Sequence, residues 1–402
     1  MDFTAYYTAG KVMNLGLNPY KNYIGENWNL WDGVAQFNHS RFLYPPIAGT
    51  FFQPLAKLNY HSAKHIWNYL NFFFVTISVF IWLKIFRFDK NVFILLITGI
   101  FTFNFFPFYA LLERGQIDGA TFLLLTLGIF FVKRSKEKSS GLWFSLASVF
   151  KLYSILLIPF LLIKKKYKTA IFFISGIVVI TGIMYIVNGS SQVNDYILNQ
   201  APRISQYAES GTDDMRPDSW ILKYIFRISR YAVSMVDGRM YLTESISFFS
   251  NASLVRLIVS GQLAIGINIP ATVWSLLLII PFIIYLYRHI GRYEKINLWI
   301  IFILIILIFS PFTWLMNLVW LIPVFLLTLK LIKNAEYKNI SFALIVTGLI
   351  IITLPDYQRT FIVMLDNILK LRYVTGELLI LAGMLALPNF TKGKLKPELK
   401  TL

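Results

Sequence analysis

The sequence predicts an all-α integral membrane protein that crosses the bilayer about ten times. Of its 402 residues, 56% are hydrophobic, and the mean hydropathy of +0.60 is far above that of an ordinary soluble domain. The apolar residues fall into runs that approach the roughly 20 residues needed to cross about 30 Å of hydrocarbon. The net charge of +18 comes from Lys and Arg spread over the short loops between these runs, whereas a nucleic-acid groove gathers such charges in one place. Nucleic acid is therefore not expected as a partner.

The whole chain, residues 1–402, is predicted to form one membrane domain. We expect an outer segment with short helices over 1–62, membrane helices over 63–187, a polar outer loop over 188–261, and membrane helices with a basic cytoplasmic tail over 262–402. Apart from the long loop, no polar stretch is long enough to fold as a separate soluble domain.

Ten apolar runs are the predicted membrane segments, and several of them are short. They are Ile66–Leu83, Val92–Leu112, Ile117–Val132, Leu142–Ile163, Thr169–Val187, Leu263–Tyr287, Ile296–Phe309, Leu315–Leu329, Phe342–Leu354 and Val374–Leu387. Three prolines interrupt a further apolar stretch, from Phe42 to Leu58. That stretch predicts a short tilted or interfacial helix, because proline cannot donate the helical hydrogen bond.

The basic loops predict which ends of the segments face the cytoplasm. Six loops together hold 21 Lys or Arg and five acidic residues, and cations are retained on the cytoplasmic side. These loops are 84–90, 133–140, 164–168, 288–295, 330–338 and the tail from Lys392. The remaining connections, including the loop 188–261 with seven basic and seven acidic residues, are then predicted to lie outside.

The two ends of each membrane segment should lie on opposite sides of the membrane. This rule fails once, at Leu142–Ile163, because both ends of this run are basic. A single crossing cannot start and finish in the cytoplasm, so we expect a re-entrant or strongly broken pair of half-helices with Lys151 near the bend. A basic loop with weak sidedness is the alternative. The same reasoning places Met1 outside without a preceding apolar segment, so we expect this chain to lack a first membrane helix.

The first group of residues suited to chemistry lies in the predicted outer segment. It contains Asp2, Tyr6 and Tyr7, followed by Asn18 and Tyr44. A carboxylate at a membrane boundary beside aromatic rings can remove a proton from a sugar hydroxyl. The alternative is a solvated acid in a terminal segment, with tyrosines that only anchor the chain at the interface.

Two further groups carry charges at or below a membrane surface. Glu113, Arg114, Gln116 and Asp118 fall in a short connection between two apolar runs. The planar guanidinium of Arg114 is suited to a phosphate, although a Glu113–Arg114 pair that caps two helices is an equal alternative. Lys151 has mostly apolar residues on both sides and must face a polar cavity, bind a lipid phosphate or extend to an interface.

The last group follows Pro311, where Trp314 offers a face for sugar stacking and Asn317 a polar group. An ordinary interfacial turn has the same composition. No glycine-rich phosphate loop is present, which argues against a nucleotide-sugar donor. With no Cys and four His that lack ligand-like spacing, neither a metal nor a cofactor is expected. A lipid-linked sugar is the favoured donor.

At these residues the sequence resembles glycosyltransferase family 87, polytopic bacterial enzymes similar to polyprenyl-phosphate-mannose-dependent mannosyltransferases of the GT-C superfamily. The resemblance rests on short elements in a common order: Asp2-Phe3 through Tyr7 and Gly10, Gly16 with Asn18-Pro19-Tyr20, Phe42 and Tyr44-Pro45-Pro46 with Pro54-Leu55, Gly115-Gln116, Gly141 through Ala147 to Lys151-Leu152, and Ser310-Pro311 with Trp314. It implies a GT-C-like helical bundle in a bacterial cytoplasmic membrane, with the active site on the periplasmic or extracellular face. In such enzymes an Asp after the first membrane helix is the catalytic base, and this role would fall on Asp2.

The chain departs from the family's pattern at three places. Asp118 stands where the family usually has Asn, and Ser154 where it usually has Pro. Met316 and Asn317 follow the tryptophan element, where one or two His are common. A histidine-dependent step is therefore in doubt.

The sequence-based hypothesis is an inverting transferase that moves a sugar, mannose as the first candidate, from a polyprenyl phosphate to a lipid or glycan hydroxyl. Asp2 is the predicted base, and Arg114 and Lys151 bind the donor phosphate. The predicted sugar and acceptor contacts are Tyr6, Tyr7, Asn18, Tyr44, Glu113, Gln116, Asp118, Trp314 and Asn317. Two rival hypotheses are a flippase of lipid-linked sugars and an O-antigen-type polymerase or ligase.

Overall fold

The computed structural model describes residues 2–20, 42–201, 231–236, 239–244, 252–264, 269–311, 313–334, 339–354 and 371–387. Most of these residues are helical. The α-helices are α1 (Asp2–Asn14), α2 (Pro46–Phe52), α3 (Tyr60–Phe86), α4 (Val92–Asn104), α5 (Phe106–Arg114), α6 (Asp118–Lys133), α7 (Glu137–Phe150), α8 (Leu157–Ile163), α9 (Tyr167–Asp195), α10 (Leu254–Ala264), α11 (Ala271–His289), α12 (Lys295–Phe309), α13 (Ile322–Lys333), α14 (Ile340–Thr353) and α15 (Arg372–Ala386). Short 3-10 segments cover Leu55–Lys57, Leu152–Leu156, Ile290–Arg292 and Leu315–Leu321, and a π-helical turn, Tyr196–Gln200, extends α9.

A small hairpin is the exception to the all-α prediction. Strands β1 (Tyr231–Val236) and β2 (Arg239–Glu244) pair in antiparallel fashion within the predicted long loop. The sequence between them is Asp-Gly, a dipeptide typical of two-residue hairpin turns. The helical prediction therefore applies to the membrane segments and not to the whole of this loop.

The described helices include four that are long and apolar enough to cross a membrane, at Tyr60–Phe86, Tyr167–Gln200, Ala271–Arg292 and Leu315–Lys333. The pair α4 and α5, bent by 53°, makes a fifth if it counts as one crossing. Phe105 has an extended backbone at this bend and Pro107 lies in the first turn of α5. A proline ring clashes with a preceding helical turn, so α4 cannot continue straight into α5. The chain is thus a multi-pass membrane protein by helix length and composition, while the number of about ten crossings stays a prediction.

Helix α12 lies at the centre of the bundle. Every side chain from Leu298 to Phe309 is buried, and a helix that is apolar on all sides is typical of a protein interior. Around it, α3 packs against α6, α6 against α7, and α7 against α9. The helices that carry the candidate residues are therefore neighbours.

The structure confirms the predicted break at Lys151. Helix α7 ends at Phe150, Lys151 has an extended backbone (φ −139°, ψ 96°), and the chain resumes as a 3-10 turn and then α8. Glu137, at the start of α7, lies 3.3 Å from Lys166, three residues after α8 ends. Both ends of the segment therefore lie at the same end of the bundle, as a re-entrant hairpin requires.

Five of the six basic loops meet at this same end, which we call the basic end. Three contacts join them in pairs: Lys133 Nζ donates to the Ile85 carbonyl at 2.7 Å, Lys330 Nζ lies 2.6 Å from Glu294, and Lys166 pairs with Glu137. Lys133 also interacts electrostatically with Lys330, and Lys164 with Lys295. The sixth, the tail from Lys392, lies outside the described residues. The grouping of charges agrees with the predicted sidedness of the loops.

Lys164 provides a chemical test of which side the basic end faces. Burial together with the cations Lys295 and Lys166 lowers the pKa of Lys164 to about 8. The Lys164 amine is therefore neutral in about half of the molecules at pH 8. An unperturbed lysine is neutral in only about 0.4% of molecules at that pH. We expect a membrane-impermeant acylating reagent to modify Lys164 ahead of other lysines, with a rate that rises as the pH passes 8, and only in inside-out vesicles. Peptide mapping measures the adduct, Lys164→Arg should remove it, and equal labelling of intact cells would contradict the orientation.

Candidate active site

The connection between α5 and α6 is fixed at the end of the bundle opposite the basic end. Trp67 Nε1 donates to the Gly115 carbonyl at 2.8 Å, and Asn71 Nδ2 donates to the Gln116 carbonyl at 2.8 Å. Gly115 has φ +66°, and a Cβ added there would lie 2.7 Å from Cβ of Phe3. Glycine is required at this position both by the left-handed backbone and by the close approach of α1.

This double requirement predicts a stability effect. Gly115→Ala should lower the free energy of unfolding by about 2–5 kcal/mol, the sum of left-handed strain and overpacking. Gly182→Ala in α9 is the matched control, because nothing lies within 4 Å of its added Cβ, and it should be near neutral. Thermal unfolding in detergent measures both, and equal melting temperatures for the two variants would contradict the close packing of α1.

Two tyrosines converge on Gln116 and bring three predicted site residues together. Tyr6 Oη donates to Gln116 Oε1 at 2.5 Å and lies 2.7 Å from Tyr44 Oη, which is itself 3.2 Å from the same amide oxygen. Tyr6 is fully buried and Gln116 is 4% exposed. These hydroxyl and amide groups form a fixed polar surface that can exchange hydrogen bonds with sugar hydroxyls.

Lys151 is paired with Asp118 inside the bundle. Lys151 Nζ lies 3.3 Å from Asp118 Oδ2, and the side chains are 5% and 0% exposed. Lys151 therefore does not extend to an interface, which was one alternative from the sequence. Its ammonium also lies 5.7 Å from the centre of the Tyr44 ring, so the ion pair adjoins the tyrosine and glutamine surface. An ion pair this deeply desolvated is costly to build and severely destabilising to break, so it is poor evidence for stability and a pointer to function.

Asn317 joins the site through Tyr153, a residue that the sequence analysis missed. Asn317 is fully buried, its Nδ2 donates to Tyr153 Oη, and its Oδ1 accepts from the Trp314 backbone amide at 3.1 Å. Lys151 Nζ lies 5.9 Å from the centre of the Tyr153 ring. Trp314 is partly buried, and its sugar-stacking role stays a prediction.

Asn18 contacts residues of the extended helix α9 that the sequence analysis also missed. Asn18 Nδ2 donates to Asp195 Oδ2 at 2.8 Å, and its Oδ1 accepts from the Tyr20 amide at 2.9 Å. The Tyr20 ring stacks on Tyr196 with centroids 5.9 Å apart, and Tyr20 Oη donates to the Tyr44 carbonyl at 2.7 Å. The motif Asn-Pro-Tyr was noted in the sequence, but no sequence signal marks its partners 177 residues away.

Three predicted residues are placed apart from the buried pair. Glu113 and Arg114 are exposed in the last turn of α5. Neither side chain forms an ion pair with another residue that the structure describes, so the alternative Glu113–Arg114 pair is not formed there. Tyr7 is fully buried, and its hydroxyl donates to the Leu58 carbonyl at 2.8 Å. The binding roles of these three residues stay predictions.

Asp2 begins α1, and its side chain is outside the described part of the structure. The next residue, Phe3, packs against Gly115, one position before Gln116. The backbone of Asp2 is therefore at the same end of the bundle as the tyrosine and glutamine surface, while its role as base stays a prediction.

Comparison with known proteins gives an independent view of this site. A family profile described as glycosyltransferase family 87 matches residues 42–311, a range that includes Tyr44, Gln116, Asp118 and Lys151. Curated proteins and solved structures gave no significant match. Because the matched range covers more than half of the chain, this membrane protein belongs to glycosyltransferase family 87.

Proposed function

We propose that the protein is an inverting transferase that moves a sugar, with mannose as the first candidate, from a polyprenyl phosphate to a hydroxyl of a lipid or glycan acceptor. The reaction takes place at the membrane face opposite the basic end, which is the outer face of a bacterial cytoplasmic membrane. The observation that carries the proposal is the buried ammonium of Lys151, held 3.3 Å from Asp118 at the break of a re-entrant hairpin.

The depth of Lys151 favours a phosphate that belongs to a lipid. Helix α7 has 14 residues, which carry the chain about 21 Å from the basic end at 1.5 Å per residue. The hydrocarbon layer is about 30 Å thick, so Lys151 lies beyond its midplane, in the half of the membrane opposite the basic end. A lipid carrier can present its phosphate there while its prenyl chain remains in the bilayer.

The charge of Lys151 suits the leaving group of such a transfer. A sugar linked through polyprenyl phosphate carries one negative charge on its phosphodiester, and the departing polyprenyl phosphate carries a second. A fixed cation therefore stabilises the transition state more than the ground state, which is the condition for catalysis. Arg114 is a second proposed cation for this phosphate, and with two cations the step needs no metal or cofactor.

The proposed step is a single displacement. The carboxylate of Asp2 takes the proton of the acceptor hydroxyl, whose oxygen attacks the anomeric carbon. The bond from that carbon to the phosphate oxygen breaks, the polyprenyl phosphate leaves with the bonding electrons, and the anomeric configuration inverts. Tyr6, Tyr44 and Gln116 support this proposal as a ready hydrogen-bonding surface for the sugar.

A transfer assay tests the donor and the base. Purified protein in nanodiscs receives membrane glycans with radiolabelled polyprenyl-phosphate mannose or, separately, guanosine-diphosphate mannose. We expect transfer from the lipid donor alone, and a loss of about 10²–10⁴-fold for Asp2→Asn, the usual contribution of a general base. Asp89→Asn, in a turn at the basic end, is the matched control and should transfer at the wild-type rate.

Two outcomes would contradict the proposal in different ways. Equal transfer by wild type and Asp2→Asn would remove Asp2 from the mechanism. No turnover with polyprenyl-phosphate mannose, glucose or galactose, together with measurable translocation of these lipids, would favour a flippase.

A further inference from the structure

Helix α9 and its π-helical extension are longer than a membrane crossing requires. The helical stretch Tyr167–Gln200 has 34 residues, but Gly189 has a non-helical backbone (φ 77°, ψ 156°) that divides it. The part before this break already spans about 33 Å at 1.5 Å per residue, against about 30 Å of hydrocarbon. The stretch begins at the basic end, so its last turns project beyond the opposite surface of the bilayer. These turns lie next to α2 and next to Leu17, which follows the end of α1.

Three side chains next to and beyond the break, Asn188, Gln192 and Tyr196, form what we call the polar row. Asn188 Nδ2 donates to Thr50 Oγ1 at 2.6 Å, and Gln192 Nε2 donates to the Leu17 carbonyl at 3.4 Å. Each amide therefore uses its donor, but Asn188 Oδ1, Gln192 Oε1 and Tyr196 Oη are buried without a hydrogen-bond partner among the described residues. Tyr196 as a whole is only 4% exposed. Buried polar atoms of this kind normally have partners, so three such atoms close together in the chain, on both sides of the break at Gly189, indicate a ligand.

The surroundings of the polar row are fixed in place. Asp195 Oδ2 accepts from Asn18 Nδ2 and its Oδ1 from Asn199 Nδ2, both at 2.8 Å. The Tyr20 ring stacks on Tyr196, and burial together with the neighbouring Tyr196 and Asp195 raises the pKa of Tyr20. Its hydroxyl therefore stays protonated and keeps its hydrogen bond to the Tyr44 carbonyl.

The available atoms favour a neutral polyol over an ion. Amide oxygens and a carboxylate repel a phosphate, which needs donors or cations. A cation is disfavoured as well, because both oxygens of Asp195 already accept hydrogen bonds from amides. A pyranose can donate hydroxyl protons to the two free amide oxygens, exchange a hydrogen bond with a phenol, and pack against an aromatic ring.

We infer that the polar row, together with Tyr20, is a saccharide subsite that binds a pyranose of the acceptor. This inference rests on the proposed function, in which a glycan or glycolipid supplies the attacking hydroxyl. Tyr44 joins the subsite to the donor site, because its carbonyl accepts from Tyr20 while its ring adjoins Lys151. Tyr44 thus lies between the bound acceptor sugar and the donor phosphate at Lys151.

Saturation-transfer NMR tests the subsite without any turnover. Protein in nanodiscs is mixed with methyl α-mannopyranoside, methyl β-glucopyranoside or methyl β-galactopyranoside, at millimolar concentration. We expect transfer to at least one glycoside, a loss of at least fivefold in Tyr196→Phe, and a similar loss in Gln192→Leu. Tyr185→Phe is the matched control, since Tyr185 lies on the same helix and its hydroxyl bonds Asn194 at the exposed surface; its signal should equal that of the wild type.

A competition arm separates the acceptor from the donor as the source of the sugar. Polyprenyl-phosphate mannose should leave the glycoside signal in place, and its displacement of the glycoside would overturn the acceptor assignment. Absence of any glycoside signal, or equal signals in wild type and Tyr196→Phe, would overturn the subsite itself. Because binding is measured without transfer, a failure of the subsite and a failure of the proposed reaction give different results.

Discussion

Replacement of Lys151 by Met should lower the rate of sugar transfer by at least about 10²–10³-fold, the usual effect of removing one group that stabilises transition-state charge. The substitution keeps an unbranched side chain of similar length but removes the positive charge that pairs with Asp118. Because the lost interaction strengthens as the phosphate departs, kcat should fall more than the KM for the donor changes. Steady-state kinetics with polyprenyl-phosphate mannose measure the two parameters separately.

The same substitution also leaves Asp118 as an unpaired buried carboxylate, so folding and catalysis must be separated. Breaking a buried pair from one side costs about 3–5 kcal/mol. The double variant Lys151→Met with Asp118→Asn removes both charges and should recover most of the thermal stability, but none of the transfer. Recovery of transfer in the double variant would show that Lys151 acts only through folding.

A second lysine provides the matched control for charge removal. Lys166 pairs with Glu137 at the same 3.3 Å, but the side chains are 32% and 24% exposed. An exposed pair contributes about 0–1 kcal/mol, so Lys166→Met should keep both stability and transfer. A loss of transfer equal to that of Lys151→Met would contradict the proposed phosphate site.

The break at Lys151 could be predicted from sequence because charge sidedness is a long-range constraint that needs no knowledge of packing. Both ends of Leu142–Ile163 are basic, and a lysine stands between them. The structure brings Glu137 and Lys166 together at one end for the same reason. The structure also brings together Tyr6, Tyr44 and Gln116, which the sequence assigned to sugar and acceptor binding, because α1 and the proline-rich segment both pack over the connection that follows α5.

Partners that lie far apart in the chain could not be predicted. Asp118 and Lys151 are on different helices, so sequence analysis gave Asp118 a sugar-binding role and left Lys151 unpaired. The bond between Asn18 and Asp195 joins segments 177 residues apart, and only tertiary packing brings them together. The bend at Phe105 was also beyond the sequence, since hydropathy alone shows one continuous apolar run, Val92–Leu112.

Asp118→Asn should lower the stability of the protein but strengthen its binding of the lipid phosphate. The variant leaves the ammonium of Lys151 buried without its carboxylate, at a cost of about 3–5 kcal/mol, and its melting temperature should fall. A phosphate that binds at Lys151 replaces the missing negative charge, so polyprenyl phosphate should bind about tenfold more tightly than to the wild type, or about 1.4 kcal/mol. Since a ligand that binds only the folded state raises stability by mass action, the lipid should raise the melting temperature of the variant more than that of the wild type.

The chain offers a matched buried carboxyl for this experiment. Glu377 in α15 is fully buried, and its carboxyl oxygens have no hydrogen-bond partner among the described residues. Glu377→Gln removes an equally desolvated carboxyl away from Lys151, and it should leave the response to polyprenyl phosphate unchanged. Unphosphorylated polyprenol should change the melting temperatures of the wild type and of all variants by the same amount. If polyprenyl phosphate raised the melting temperatures of the wild type, Asp118→Asn and Lys151→Met by equal amounts, the lipid would bind elsewhere and Lys151 would have no part in holding the donor.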